Sequence, residues 1–333
     1  MDALKGPIRP NWNGEDQVRR SFTALAIILF VAVICLAAGC GKQGPAPAAG
    51  KPKVALVMKS LANEFFKTME DGAKAHQAQH SSDYTLITNG IKDEQDVARQ
   101  IDLVEQTIAQ KVDAIVIAPA DSKALVPVCK KAMDTGIVVI NIDNKLDAGV
   151  LAAKNASIPF IGPNNRKGAE LAGRELASKL KAGDKVAIVE GAPNAFNATQ
   201  RKLGFEDAIR AAKLTVVTSQ TGNWEMDKAN QVVSGMITEH PDLKGIFCAN
   251  DNMALGAVAA LKAAGKLDEV MVAGFDNISA VHQLVQDGAV VATVDQHADK
   301  LAVYGIEYAL EMVNKKAKPA DRETPVDLIT KGK

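Results

Sequence analysis

Residues 54–66 read VALVMKSLANEFF. The apolar, β-branched run from Val54 to Met58 predicts a buried strand. Lys59, Ser60, Leu61 and Ala62 form a loop, and Asn63 fits an N-cap whose side-chain oxygen accepts an orphan N–H of the next helix. Phe65 and Phe66 open that helix about 100° apart on its circumference. One ring is therefore expected in the core and the other at the edge of a crevice. Open α/β sheets place ligands at the carboxyl ends of their strands, so the same stretch also reads as one wall of a site.

The alternation continues along the chain. Apolar runs at 84–88, 114–118 and 137–142 predict strands, and 93–110 predicts a helix with Val97, Ile101, Val104 and Ile108 on one face and Asp93 as its N-cap. The pattern pauses over 145–163. It resumes with a helix at 165–180 and strands at 185–189, 215–219, 245–248, 270–273 and 290–294. Helices are expected at 253–264, with Gly265 just past the end, and at 300–314, and the tail 324–329 reads as one more strand. Buried strands between helices give doubly wound parallel sheets. Two βα sets of similar size in 333 residues give an α/β chain of two similar lobes.

The 39 basic and 39 acidic residues cancel, which argues against electrostatic binding of nucleic acid. Aromatics are only 4% of the chain, so the core is built from Val, Ile, Leu and Ala. The cysteines Cys129 and Cys248 sit in apolar contexts and read as buried thiols; no spacing in the sequence matches a metal site.

Arg19 and Arg20 precede an apolar run at 22–38 that ends in Leu36-Ala37-Ala38-Gly39-Cys40. Basic region, apolar core and small residues describe a secretory signal over 1–39. The cysteine after Gly39 resembles a bacterial lipobox, which implies cleavage before Cys40 and its diacylation. Ala37 stands where that pattern has leucine. The stretch before Arg19 is long for a basic region, so a start at Val18 is an alternative to Met1. The Gly-, Pro- and Ala-rich segment following Cys40, to residue 52, reads as a flexible tether. The expected location is outside the cytoplasm, in the periplasm or at the cell surface, with the membrane reached through the lipid alone.

Polar residues and aromatics come after strand upon strand. They are Asn63, Phe65 and Phe66; then Asp143 and Asn144; Arg201; Trp224; Asn250, Asp251 and Asn252; Asp276 and Asn277; and Asp295 with Gln296. A hydroxyl both donates and accepts. Carboxylates accept from it, arginine donates to it, amides do both, and aromatic faces cover the C–H faces of a ring. Together these are the groups a sugar needs. Any one of them alone is more simply a cap or turn residue, and Asp251 is read that way.

The body from Lys53 onward resembles the bacterial periplasmic sugar-binding proteins of the ribose and D-allose type, solute-binding components of ABC transporters. The resemblance is carried by VALVMKSLANEFF, NIDNK at 141–145, TQRKLGF at 199–205, SQTGNWEMDKA at 219–229, the run 240–266 and VAGFDN at 272–277. It implies ligand contacts from Lys59, Asn63, Phe65, Phe66, Asp143, Asn144, Arg201, Trp224, Asn250, Asp276 and Gln296. Lys59 resembles the D-allose members, and Asn144 resembles neither group. It also implies lobes of 53–163 plus 297–327 and 164–296 plus 328–333, joined by three crossings with the ligand cleft between them. The implied partners are a monosaccharide and a membrane permease, with no cofactor, for a monomeric protein. A D-allose-like aldohexose is favoured and D-ribose comes next.

Three other functions share parts of this pattern. A sugar sensor that signals to a chemoreceptor or kinase uses the same pocket. A repressor core would need a DNA-reading segment where the export signal lies. An enzyme would need catalytic groups, and no nucleophile, phosphate-loop or zinc-helix motif is present. Asp143 and Asp276 could pair as in a glycosidase, but His76, His80, His240, His282 and His297 are scattered.

Overall fold

The computed structural model describes residues 50–332. The export signal, the Val18 start and Cys40 lie outside the described residues. No helix among those described is long and apolar enough to cross a membrane.

The first sheet holds β1 (Lys53–Ser60), β2 (Thr85–Ile91), β3 (Ala114–Ile117), β4 (Val138–Ile142), β5 (Phe160–Pro163) and β11 (Arg322–Thr324) in the order β11-β5-β4-β3-β1-β2. The second holds β6 (Lys185–Glu190), β7 (Thr215–Thr221), β8 (Gly245–Cys248), β9 (Met271–Ala273), β10 (Ala292–Asp295) and β12 (Asp327–Thr330) in the order β12-β10-β9-β8-β6-β7. The two orders match strand for strand. Every pair is parallel except β10 with β12. The helices are α1 (Glu64–Gln79), α2 (Val97–Ala109), α3 (Val126–Asp134), α4 (Ala148–Ala153), α5 (Asn165–Ala177), α6 (Phe196–Ala211), α7 (Met226–Glu239), α8 (Asp251–Ala263), α9 (Ser279–Asp287) and α10 (Ala298–Val313).

β1 shows why a near-continuous apolar run makes a central strand. Val54, Leu56 and Met58 pack into one core and Ala55 and Val57 into another, so both faces are covered. In each sheet the sequence order reverses beside the central strand, at β1/β3 and at β6/β8. The crevice at the carboxyl ends of such strands is where side chains from several loops converge.

Three segments cross between the sheets. They are Asn164 between β5 and α5, Gln296–His297 between β10 and α10, and residues 325–326 between β11 and β12. The third differs from the expected 327–328, because the tail forms two strands and Asp327 already pairs in the second sheet. Pro325 has no N–H to continue the first ladder, so it separates them.

Two other differences have local causes. The segment 145–163 holds α4 and β5, which carry no readable period: α4 buries none of its residues and β5 has four. Helix α2 starts four residues later than expected. Asp96 caps it by accepting from Arg99 N at 3.0 Å, while Asp93 accepts from Gln95 N in the preceding turn. Its most buried face includes Gln100, which donates to Met58 O and Ala118 O and accepts from Ala120 N. One amide thereby ties the carboxyl ends of β1 and β3 together.

Cys129 and Cys248 are free and buried, and burial pushes the Cys129 thiol up to about 12.

Candidate functional site

The carboxyl ends of the two sheets face each other around a narrow cavity of about 10 Å3. That is room for about one water molecule, so a larger ligand needs the walls to part. Its walls are Lys59, Asn63, Phe65, Phe66, Glu94, Asp143, Asn197, Arg201, Trp224, Asn250, Asp276 and Gln296, all buried.

The first lobe supplies β1, its loop and the start of α1. Lys59, at the end of β1, lies 3.1 Å from Asp143 Oδ2 and 3.7 Å from Glu94 Oε2. Burial opposes its charge, but Asp143 and then Glu94 outweigh that and hold it above the ordinary lysine value. Burial pushes Glu94 up to about 7, with Lys59 pulling the other way and Asp143 adding to the rise. Asn63 caps α1 through Phe65 N at 3.0 Å and donates to Glu94 Oε1 at 3.3 Å. Phe65 and Phe66 meet edge to face, with centroids 5.1 Å apart, and both line the cavity. Of the two readings of this stretch, one ring in the core and one at a crevice or a wall of a site, the geometry matches the wall. The cavity lies at the helix start, so two positions 100° apart both reach its wall.

The second lobe is built around Arg201 on α6. Its Nε donates to Asn165 Oδ1 at 2.8 Å, and its Nη1 to Ala249 O at 2.9 Å and Asp276 Oδ1 at 3.2 Å. The guanidinium lies 3.7 Å from the Phe275 ring centroid. Gln296 donates to the same Asp276 oxygen at 2.7 Å. Burial pushes Asp276 up to about 8 against the pull of Arg201. Asn250 caps α8 by accepting from Met253 N and donates to Trp224 O.

Trp224 sits in the β7–α7 turn with φ 71°, after Asn223 at φ 52°. The Thr221 hydroxyl fixes this turn by accepting from Asn223 N and donating to Gly191 O. The indole lies against Gly191, where an added Cβ would come within 2.1 Å of the ring. Asp143 and Asp276 also have positive φ, 60° and 123°. Backbone conformations of this cost persist where surrounding structure enforces them, often at ligand clamps.

Five buried polar atoms of the wall have no hydrogen-bond partner in the protein: Glu94 Oε2, Asp143 Oδ2, Asn197 Oδ1, Trp224 Nε1 and Gln296 Oε1. The Asp143 oxygen is near Lys59 but out of hydrogen-bond alignment. Four acceptors and one donor, set among aromatic faces, match a small molecule rich in hydroxyls.

Asn144 stands behind this wall, not in it. Its Nδ2 donates to Pro119 O, and its Oδ1 accepts from Ser122 Oγ and from Asn197 N of the facing lobe. Its hydrogen-bonding capacity is thus spent within its own lobe on Pro119 and Ser122 and across the cleft on Asn197. Glu94 and Asn197 are in the wall, and sequence reasoning does not single them out. Glu94 comes after β2, inside the span where a helix is expected from residue 93. Asn197 is the second residue of α6, where a lone asparagine reads as capping. Asp251 is structural: it is buried, accepts from Thr293 Oγ1 and Ile278 N, and burial pushes it up to about 7. No histidine lines the cavity. Among the described residues no group of three or more His, Cys, Asp or Glu could hold a metal ion.

Further bonds cross the cleft around the cavity. Ser122 N donates to Asn194 O, Phe196 N to Ser122 Oγ, Asn194 Nδ2 to Asp121, and Ser279 N to Glu64. The lobes are closed on one another.

A family model for the periplasmic binding protein domain matches residues 54–317. A D-ribose/D-allose-binding protein of Pseudomonas aeruginosa is 56% identical over 284 residues, 84% of this chain and 89% of that protein. An ABC transporter solute binding protein from Burkholderia multivorans has a solved structure that is 59% identical, with a TM-score of 0.83, covering 85% of this chain and 100% of that one. A periplasmic solute binding protein of an ABC transporter from Actinobacillus succinogenes, solved with bound D-allose, is 37% identical with a TM-score of 0.80, covering 84% and 98%.

Proposed function

The chain belongs to the periplasmic binding protein family, and from that premise we propose that it is the solute-binding component of an ABC sugar importer. The cavity takes one monosaccharide, and hinge closure of the two lobes traps it for delivery to a membrane permease. The observation that carries this reading is the set of unpartnered polar atoms between Phe65, Phe66 and Trp224 in a closed cleft. Asp143, Asp276 and Gln296 accept from ligand hydroxyls, Arg201 and Lys59 donate to them, and the rings cover the apolar faces of the sugar. Asn63 and Asn250 brace these contacts, and Glu94 and Asn197 add acceptors.

A D-allose-like aldohexose fits best, with D-ribose next. Lys59 is a long donor close to Glu94 and Asp143, which suits a ligand with one substituent more than a pentose. The relative from Pseudomonas aeruginosa is named for both sugars, and the structure from Actinobacillus succinogenes contains D-allose. The protein acts as a monomer, is exported, and is held at the membrane by a diacylated Cys40. It is a binder and turns over no substrate. Presentation of the sugar to a receptor is the second reading, because it needs the same closed form.

Titration calorimetry with D-allose and with D-ribose tests the proposal. One-to-one binding of at least one sugar, recovered unchanged afterwards, supports it. Hydrolysis or isomerisation of the sugar would overturn it. Mass spectrometry of the N-terminal peptide tests the anchor: a diacylglyceryl Cys40 is expected, and an unmodified one contradicts it.

A further inference from the structure

The cavity between the sheets has a neighbour at the mouth of the cleft. Ser60, Ala62 and Glu94 of the first lobe and Glu225, Met226 and Asn252 of the second line a further cavity of about 210 Å3. Ala62 and Met226 are exposed, so this outer cavity opens to solvent. Chain neighbours divide between the two. Lys59 lines the inner cavity and Ser60 the outer one, and Trp224 lines the inner and Glu225 the outer. Asn63 and Glu94 line both. These two side chains therefore stand between the cavities.

Asn63 has a structural duty, because its Oδ1 caps α1 at Phe65 N. Glu94 has none of that kind. It lies in the turn between β2 and α2, and Asp96 is the cap of that helix. Burying a carboxylate is costly unless it is paired, and the fold supplies the partners. Asn63 Nδ2 donates to Oε1 at 3.3 Å, and Lys59 Nζ lies 3.7 Å from Oε2. From the facing lobe Glu225 Oε1 accepts from Glu94 N at 3.5 Å. Glu94 is only 3% exposed, and its Oε2 has no hydrogen-bond partner in the protein. A carboxylate that caps no helix and pairs in no strand, yet is held from both lobes, is explained by what it accepts from and what it separates.

We infer that Glu94 is a specificity-determining residue, a partition whose carboxylate accepts from a sugar hydroxyl on the inner side and whose bulk shuts the inner cavity off from the outer one. The inference rests on the proposed sugar site and adds a limit on ligand size: the hydroxyl that faces Glu94 must be free. A sugar alkylated at that oxygen has no proton to donate, and its substituent falls where the carboxylate stands. Shortening the side chain to alanine joins the two cavities and gives the substituent room beside Met226. Lys59 then keeps Asp143 at 3.1 Å and Asn63 keeps its cap on α1, so neither loses its anchor.

Calorimetry of the parent, Glu94→Ala and Glu94→Gln with D-allose, D-ribose and the mono-O-methyl derivatives of each tests the partition. Both variants lose the carboxylate acceptor and are expected to bind the free sugars about tenfold more weakly. For the derivative methylated at the hydroxyl facing Glu94, the parent is expected to bind at least about tenfold more weakly than the free sugar. Glu94→Ala is expected to abolish that difference, and Glu94→Gln, which fills the same space, to retain it. Adding Met226→Trp to Glu94→Ala fills the outer cavity from an exposed position and is expected to restore the difference. Glu94→Ser gives the same comparison should the alanine variant fail to fold, with far-UV circular dichroism as the check. Equal discrimination in the parent and in the shortened variants for every derivative would overturn the inference, as would a Glu94→Gln as permissive as Glu94→Ala, or a parent that discriminates against no derivative. A parent that binds neither sugar overturns the proposed function and this inference together, whereas sugar binding without the change in discrimination overturns the inference alone.

Discussion

The two walls of the cavity hold a cation in different ways. Arg201 makes three hydrogen bonds to the protein and lies over Phe275, so its position is set before any ligand arrives. Lys59 is held by charge alone, between two carboxylate oxygens that remain free to accept. A planar guanidinium has fixed donor directions, whereas an ammonium on a long stem is a point charge. The second lobe thus holds its cation in a hydrogen-bonded frame and the first lobe by ion pairs, while unspent hydrogen-bonding capacity lies on both, at Glu94 and Asp143 and at Asn197, Trp224 and Gln296.

The largest expected effect breaks the hydrogen-bonded frame. Arg201→Ala removes a buried charged group that makes three hydrogen bonds, and hydrogen bonds to a charged group are worth about 1.5–3 kcal/mol each. Calorimetry should show affinity reduced by at least about a hundredfold for every sugar that binds. An unchanged affinity would place Arg201 outside the recognition.

Lys59→Ala should cost less, about 1.5–3 kcal/mol. Glu94, already raised to about 7, can take a proton once the ammonium is gone. The loss should also be uneven, larger for D-allose than for D-ribose, when both are measured under one set of conditions. Equal losses would remove Lys59 from specificity.

The raised carboxyls make a pH prediction. Glu94 and Asp251 sit at about 7 and Asp276 at about 8, all through burial. The unfolded chain releases those protons near pH 4. This contribution to stability is therefore complete below about pH 4 and is lost as pH rises through the folded-state values. The melting temperature of the ligand-free protein should fall between pH 5 and 8.5. A rise over that interval would mean that the three carboxyls are ionised in the fold.

Asn144→Ala should have the smallest effect, about 1 kcal/mol or a few-fold in affinity. The side chain bonds across the cleft to Asn197 N and lies outside the cavity wall. A loss as large as that from Arg201→Ala would return Asn144 to the wall.

The same contrast explains what is legible in the sequence. Val54–Met58, Asp143, Arg201 and Asp276 can be read because strand ends in this fold converge, whatever the side chains then do. Glu94 is hidden by a helix placed four residues too early, where Asp93 and Asp96 are equally good caps by composition. Asn144 and Asn197 face each other across the cleft, and a bond between the lobes leaves no periodic trace in either. The tail misleads for a different reason. Thr324 and Asp327 lie three residues apart yet pair in different sheets, a choice made by the sheets and not by the local residues.

The central claim is that the closed cavity binds a monosaccharide, and a thermal-shift screen of aldopentoses, aldohexoses and polyols tests it most directly. A ligand that binds only the native state raises the melting temperature by mass action. The largest shift is expected with D-allose or a close aldohexose, then with D-ribose, with quenching or enhancement of Trp224 fluorescence at the same concentrations. A large shift with D-ribose and none with any hexose would contradict the aldohexose preference and leave sugar binding intact. No shift with any sugar or polyol would contradict the central claim.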